Sequence, residues 1–318
     1  MASSPSTVEA PSSTQYLLGA LLTLLSAVAF SSKAILVKLA YRFPEVDPVT
    51  LLALRMLFSL PLFLLSAVWT GRRHRNARLT RRDWATLVFL GLMGYYLASL
   101  FDFLGLQHVS ASMERLILFV YPTIVVLINA GMGRQRIQPV QILALLLTYF
   151  GIGLAFAGES LGDTPGNLWL GGALVFASAV TYAIYLVGSG HLIPRLGSTR
   201  YTSYAMSIAC LGVLTHYAVT NAGLPTELPG DVYGFAVLMA LIATVLPAFL
   251  LAEGIRIVGS GNASIIGSIG PVSTIVLAYV FLGERLVFLQ WIGTALVMAG
   301  VLTITLRGKK PGLARRDA

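Results

Sequence analysis

The stretch "GLQHVSASMERLILFVYPTIVVLINAGMGRQRIQPVQILALLLTYFG", residues 105–151, recurs without a gap as "GIRIVGSGNASIIGSIGPVSTIVLAYVFLGERLVFLQWIGTALVMAG", residues 254–300. At one constant offset Gly105 meets Gly254, Val109 meets Val258, Pro122 meets Pro271, Arg136 meets Arg285, Gln141 meets Gln290 and Gly151 meets Gly300. A second, slightly different offset lays "SAVAF" at Ser26 over "SAVTY" at Ser178. The chain is therefore a duplication, and the size of its unit decides the fold.

Composition sets the medium. Of 318 residues 56% are apolar and 11% charged, and the mean hydropathy is +0.80, so no water-soluble surface can be assembled from this chain. Crossing about 30 Å of hydrocarbon takes roughly 20 apolar residues at about 1.5 Å each. Such runs fall at 17–40, 49–69, 84–106, 111–132, 138–157, 168–190, 200–220, 231–252, 258–281 and 287–306. Ten runs over two copies give five helices per copy. Because five is odd, the second copy enters the membrane from the opposite side. The expected fold is thus an all-α membrane protein of ten transmembrane helices arranged as two inverted five-helix repeats.

The expected boundaries are a disordered Ser/Pro/Thr-rich tail at 1–16, repeats at 17–157 and 168–306, a linker at 158–167 and a basic tail at 307–318. The first apolar run is too long for a signal-peptide core and lacks a basic region before it, so it reads as a retained helix. The net charge of +9 is carried by Arg72, Arg73, Arg75, Arg78, Arg81 and Arg82 in one short loop and by Arg307, Lys309, Lys310, Arg315 and Arg316 in the tail. Lipid topology explains this pattern better than nucleic acid, and it places both termini in the cytoplasm. Arg134, Arg136, Arg195, Arg200 and Arg256 fall on the same side, while Glu159, Asp163, Glu227 and Asp231 fall on the other. Cys210, the single cysteine, lies inside the seventh run, where packing is its expected role. No metal or cofactor site is expected.

Inverted repeats about an axis in the membrane plane are the plan of many secondary transporters, whose binding site lies between the halves. The chain also resembles the ten-helix EamA-type members of the drug/metabolite transporter superfamily. The resemblance rests on "HVSASMERLILFVYPTIVVLI" and "IVGSGNASIIGSIGPVSTIVLAYVFLGERL", each a short polar entry into a helix with a proline in mid-course, and on the last helix after "LGE". It implies a multi-pass protein of the bacterial inner membrane that exports small metabolites without ATP. It does not name the solute, and the oligomeric state stays open, a monomer among the options. The expected partners are a small-molecule solute and the lipid bilayer.

Charged side chains within hydrocarbon are costly and therefore mark a role, a partner or a wet cavity. Lys33, Lys38, Arg55, Asp102, Glu114 and Arg115 all lie in the first repeat. Their repeat partners are uncharged: Lys33 aligns with Tyr185, Asp102 with Leu251, Glu114 with Ala263 and Arg115 with Ser264, so the charges break the symmetry that the scaffold keeps. Helical spacing groups Tyr95, Ser99 and Asp102 on one face, Ser178, Tyr182, Tyr185 and Ser189 on another, and Tyr204 with Ser207 on a third. The expected solute-binding set is Lys33, Arg55, Tyr95, Ser99, Asp102, Tyr182, Tyr185 and Tyr204. The expected coupling or gating set is Glu114, Arg115, Pro122, Gly267 and Pro271, with Glu114 facing inward and Arg115 turned toward Asp102.

Structural alternatives stand beside these: Lys38 and Arg115 reaching the interface, Arg55 pairing Asp102, tyrosines in interfacial belts, and the stripe Gly259, Ala263, Gly267 packing helices closely. The functional expectation is a secondary transporter exporting a small polar metabolite, an amino acid or an organic anion. Its rival is a cationic drug/proton antiporter using Asp102 or Glu114. No nucleophile and base share a depth, so an enzyme is not expected.

Overall fold

The structure is a computed structural model, and it describes residues 13–73, 79–133, 137–161, 166–190, 192–221, 228–267 and 269–307. Among these residues every regular element is helical. The spans are α1 (Ser13–Ala40), α2 (Pro48–Arg73), α3 (Arg81–Leu106), α4 (Ala111–Gly131), α5 (Pro139–Ser160), α6 (Leu168–Ser189), α7 (Ser198–Thr220), α8 (Gly230–Val258), α9 (259–267, then Gly270–Leu282) and α10 (Phe288–Arg307). Side chains start several of them. Asp47 accepts from the amides of Val49 and Thr50 at α2, Thr80 and Asp83 cap α3 reciprocally, and Asn167 caps α6. Leu65, Trp69, Phe89, Leu146, Phe150 and Val276 stay exposed, as an apolar surface in lipid requires.

Helix α1 begins at Ser13, four residues before the expected start, so part of the expected tail is helical. A larger difference concerns α8 and α9, expected as separate runs ending at 252 and starting at 258. Helical residues follow one another without a gap over Leu246–Gly267, so α8 ends and α9 begins near Val258 with no linker between them. The chain nevertheless doubles back, as its contacts along α1 prove. Ser26 Oγ donates to the Pro247 carbonyl at 2.8 Å, Gly19 abuts Ile257 and Val258, and Ser31 Oγ donates to the Gly270 carbonyl at 3.0 Å. The chain therefore descends α1 from Pro247 to Val258 and climbs it again to Gly270, which preserves the ten crossings. The basic loop over 74–78, Arg134, Arg136, Asp163, Glu227 and the tail beyond 307 lie outside the described residues.

The two repeats meet through reciprocal contacts. Ser26 Oγ on α1 donates to Pro247 O of α8 at 2.8 Å, and its partner Ser178 on α6 donates to Ala98 O of α3 at 2.7 Å. A Cβ at Gly254 would stand 3.2 Å from Gly19 O, and one at the matching Gly105 would stand 3.1 Å from Gly171 O. Thus α1 packs on α8 as α6 packs on α3. On the axis itself α5 and α10 touch backbone to backbone: a Cβ at Gly151 would lie 2.7 Å from Gly293 O, and one at Gly300 2.7 Å from Ala144 O. Small residues allow this approach, which carries helix association where lipid offers no hydrophobic drive.

Two further irregularities recur in register. Helix α3 carries a π-helical segment at Leu92–Leu97 and α8 one at Leu241–Val245, beginning at matched residues. Likewise α4 breaks after Leu118 and resumes at Tyr121, while α9 breaks after Gly267 and resumes at Gly270, with Pro122 and Pro271 in the first turn of the resumed pieces. Proline lacks the amide that would continue the helix. Such breaks and π segments recur at functional sites, where backbone bends around a cavity.

Candidate functional site

Helix α1 is held at Ser31 against the break in α9, which fixes Lys33 two residues on. Lys33 Nζ donates to Asp102 Oδ2 of α3 at 2.5 Å and to Glu114 Oε1 of α4 at 3.0 Å. All three side chains are buried, with Lys33 5%, Asp102 2% and Glu114 0% exposed. One ammonium thus joins three helices. Removing Lys33 leaves two buried carboxylates without their ion-pair partner.

Arg55 of α2 is equally buried but takes no carboxylate. Its Nε donates to Thr244 Oγ1 at 2.8 Å, and the guanidinium lies 5.5 Å from the Phe103 ring centroid. Thr244 sits in the π segment of α8 and donates back to Met239 O at 2.8 Å. The Arg55–Asp102 pair is therefore not formed. Thr244 went unread in the sequence, its one signal being alignment with Tyr95 in the other π segment.

The Glu114–Arg115 pair splits as helix geometry demands, since adjacent residues point about 100° apart. Glu114 faces inward to Lys33. Arg115 turns to α1 and α9: its guanidinium lies 5.1 Å from the Phe30 ring centroid and fills the space a side chain at Gly270 would need. Its expected partner Asp102 is taken by Lys33, which corrects that assignment. Lys33 also lies 5.5 Å from the Phe30 ring centroid, so this unpredicted phenylalanine sits beside both cations.

Four atoms of this cluster are buried without a hydrogen-bonding partner among the described residues: Arg55 Nη1, Arg115 Nε, Asp102 Oδ1 and Glu114 Oε2. Two donate and two accept. Buried polar atoms left this way are costly, which makes the set the candidate site.

Toward the other end stands a stack of tyrosines. Tyr185 Oη donates to Tyr95 Oη at 3.2 Å, and the Tyr182–Tyr185, Tyr121–Tyr182 and Tyr185–Tyr201 ring centroids lie 5.7, 5.2 and 5.9 Å apart. Tyr95, Tyr182 and Tyr185 are thereby brought together. Tyr204 is elsewhere, stacked on Trp84 with Arg200 donating to its hydroxyl at 3.2 Å. Ser99 is half-buried one turn before Asp102. Pro122 and Pro271 mark the helix breaks. A Cβ at Gly267 would meet open space, so close packing does not explain that glycine. Cys210 packs with its sulfur 3.6 Å from that of Met56. His216 pairs with Tyr96 at 3.1 Å, and Glu253 pairs with Arg256.

The comparisons with known proteins match this architecture. The EamA-like transporter family matches residues 17–157 and 169–306, one stretch for each repeat. The chain belongs to the EamA-like transporter family. It is 32% identical over 298 residues to "Uncharacterized transporter YcbK" of Bacillus subtilis, covering 92% of this chain and 95% of that one. It is 24% identical to "Uncharacterized inner membrane transporter YicL" of Salmonella typhimurium, covering 92% and 96%. A solved crystal structure shares the fold at a TM-score of 0.59 and 19% identity, over 91% of this chain and 96% of that one. This EamA-like chain is a multi-pass membrane transporter, and both copies of the family's unit are present in it.

Proposed function

We propose that this protein is a secondary transporter that exports a small polar metabolite, an amino acid or organic anion, by alternating access between its inverted repeats. The observation carrying this reading is the set of four unpartnered atoms on Arg55, Arg115, Asp102 and Glu114. Two cationic donors fit a carboxylate, and two carboxylate oxygens fit an ammonium or hydroxyl group. In this reading Lys33 holds the carboxylates in place, Arg55 and Arg115 receive the anionic group, Ser99 and the Tyr95, Tyr182 and Tyr185 stack line the path, and the breaks at Pro122, Gly267 and Pro271 bend as the halves rock. Tyr204 is proposed only as a residue near the cytoplasmic mouth. The membrane is the bacterial inner membrane, with both termini cytoplasmic, on the strength of loop charge.

The antiporter reading is weaker because three cations, Lys33, Arg55 and Arg115, stand with the two carboxylates, a balance that favours an anionic group on the solute. Counterflow in proteoliposomes preloaded with a mixed pool of amino acids and organic acids, read by mass spectrometry, tests the choice. Exchange of a carboxylate-bearing solute is expected. Efflux of cationic dyes with no exchange from that pool would contradict it.

A further inference from the structure

The end of the molecule bearing Ser110 is tied shut by two carboxylates that the solute reading does not use. Glu284, in the turn after α9, accepts from the Ala111 amide at 2.8 Å, the Ser112 amide at 3.1 Å and the Ser112 hydroxyl at 2.8 Å. Glu159, at the end of α5, accepts from the Ser110 amide at 2.8 Å, the Ser110 hydroxyl at 3.0 Å and Gln290 Nε2 at 2.6 Å. Gly283, at φ 71°, reverses the chain so that Glu284 points back at α4. Glu284 and Gln290 belong to the second repeat and Ser110 to Ser112 and Glu159 to the first. Both bridges therefore join the repeats, and that end opens only when they break.

We infer that Glu159 and Glu284 are the latch of the outer gate. At the constant repeat offset Glu284 corresponds to Gln135, Glu159 to Gly308, and the capping Ser110 to Gly259, so neither carboxylate nor hydroxyl recurs at those positions. The matched glutamines do recur in their shared role: Gln141 accepts from the Gln138 amide at 2.9 Å and Gln290 from the Val287 amide at 2.8 Å, each starting the last helix of its repeat. The glutamines are thus kept in both halves, while the two carboxylates are not repeated at the matched positions. A charge-assisted clamp on a helix N-terminus is the strong class of hydrogen bond, reinforced by the helix dipole. A latched outer side suits loading of a solute from the cytoplasm for export. This rests on the orientation and the transport reading proposed above.

The test needs no solute. A single cysteine at Ser99 in a Cys210→Ala chain is labelled with a membrane-impermeant maleimide in intact cells and in inverted vesicles. Glu284→Gln and Glu159→Gln should each raise labelling from outside about ten-fold and lower it from inside. Ser112→Ala, which removes one donor, should raise outside labelling roughly three-fold, and it carries the test if the glutamate variants do not accumulate. Unchanged rates, an equal rise on both sides, or a rise only in inverted vesicles would overturn the latch. If labelling shifts as expected while counterflow finds no carboxylate-bearing solute, the latch stands and the solute reading falls.

Discussion

In the first repeat, the α1 position two turns beyond Ser26 holds Lys33, which binds Asp102 and Glu114. In the second, the matching position on α6 holds Tyr185, whose neighbourhood is phenolic, and the residues aligned with Asp102 and Glu114 are Leu251 and Ala263. The surrounding contacts are nevertheless the same: Ser26 and Ser178 reach equivalent carbonyls, and Gly254 and Gly105 abut equivalent backbones. Duplication supplied a symmetric frame, and the chemistry was placed on one side of it. Residues that hold the frame should tolerate change equally poorly in both halves, while residues of the cluster should matter only in the first.

The largest effect is expected from Lys33→Ala, which leaves two buried carboxylates unpaired and should cost about 3–5 kcal/mol. Thermal unfolding in detergent would read it as a large fall in Tm. The matched Tyr185→Ala loses ring packing without stranding a charge, so a greater loss there would break the comparison. Next come Gly151→Ala and Gly300→Ala, where the added methyl meets backbone that cannot yield; each should cost about 1–3 kcal/mol, and equally. Arg55→Gln should lower solute exchange about ten-fold with Tm nearly unchanged, because no carboxylate depends on Arg55 for its ion pair. A fall in Tm with exchange intact would make Arg55 a structural residue. The smallest effect is set for Ser26→Ala and Ser178→Ala, each removing one interhelical hydrogen bond worth about 0.6 kcal/mol. Unequal losses would show that the repeats are not energetic equivalents.

The frame was legible because glycines, prolines and serines recur at fixed offsets, and because apolar runs report span length directly. The partners of the charges were not. Lys33 meets residues far along the chain, so its choice of Asp102 and Glu114 over Arg115's claim depends on helix rotation, which sequence spacing constrains only within one helix. The π segments were invisible for the same reason: "LMGYYL" and "LIATV" share no glycine or proline at matched positions, yet they set Thr244 on Arg55 and Tyr95 on Tyr185. Glu159 and Glu284 were read as loop charge and motif, since only the folded chain brings them to one helix end. Between α8 and α9 a non-helical gap is expected from the sequence, and instead the two helices abut near Val258 with no linker.

The central claim is that the charged cluster carries the solute and the symmetric frame does not need it. A triple variant that writes the second repeat's residues into the first, Lys33→Tyr with Asp102→Leu and Glu114→Ala, removes the ion pairs together and strands no partner among the three. Its counterflow in proteoliposomes should fall to the level of empty vesicles while its Tm stays within a few degrees of the parent protein. Retained exchange in a folded triple variant would contradict the account.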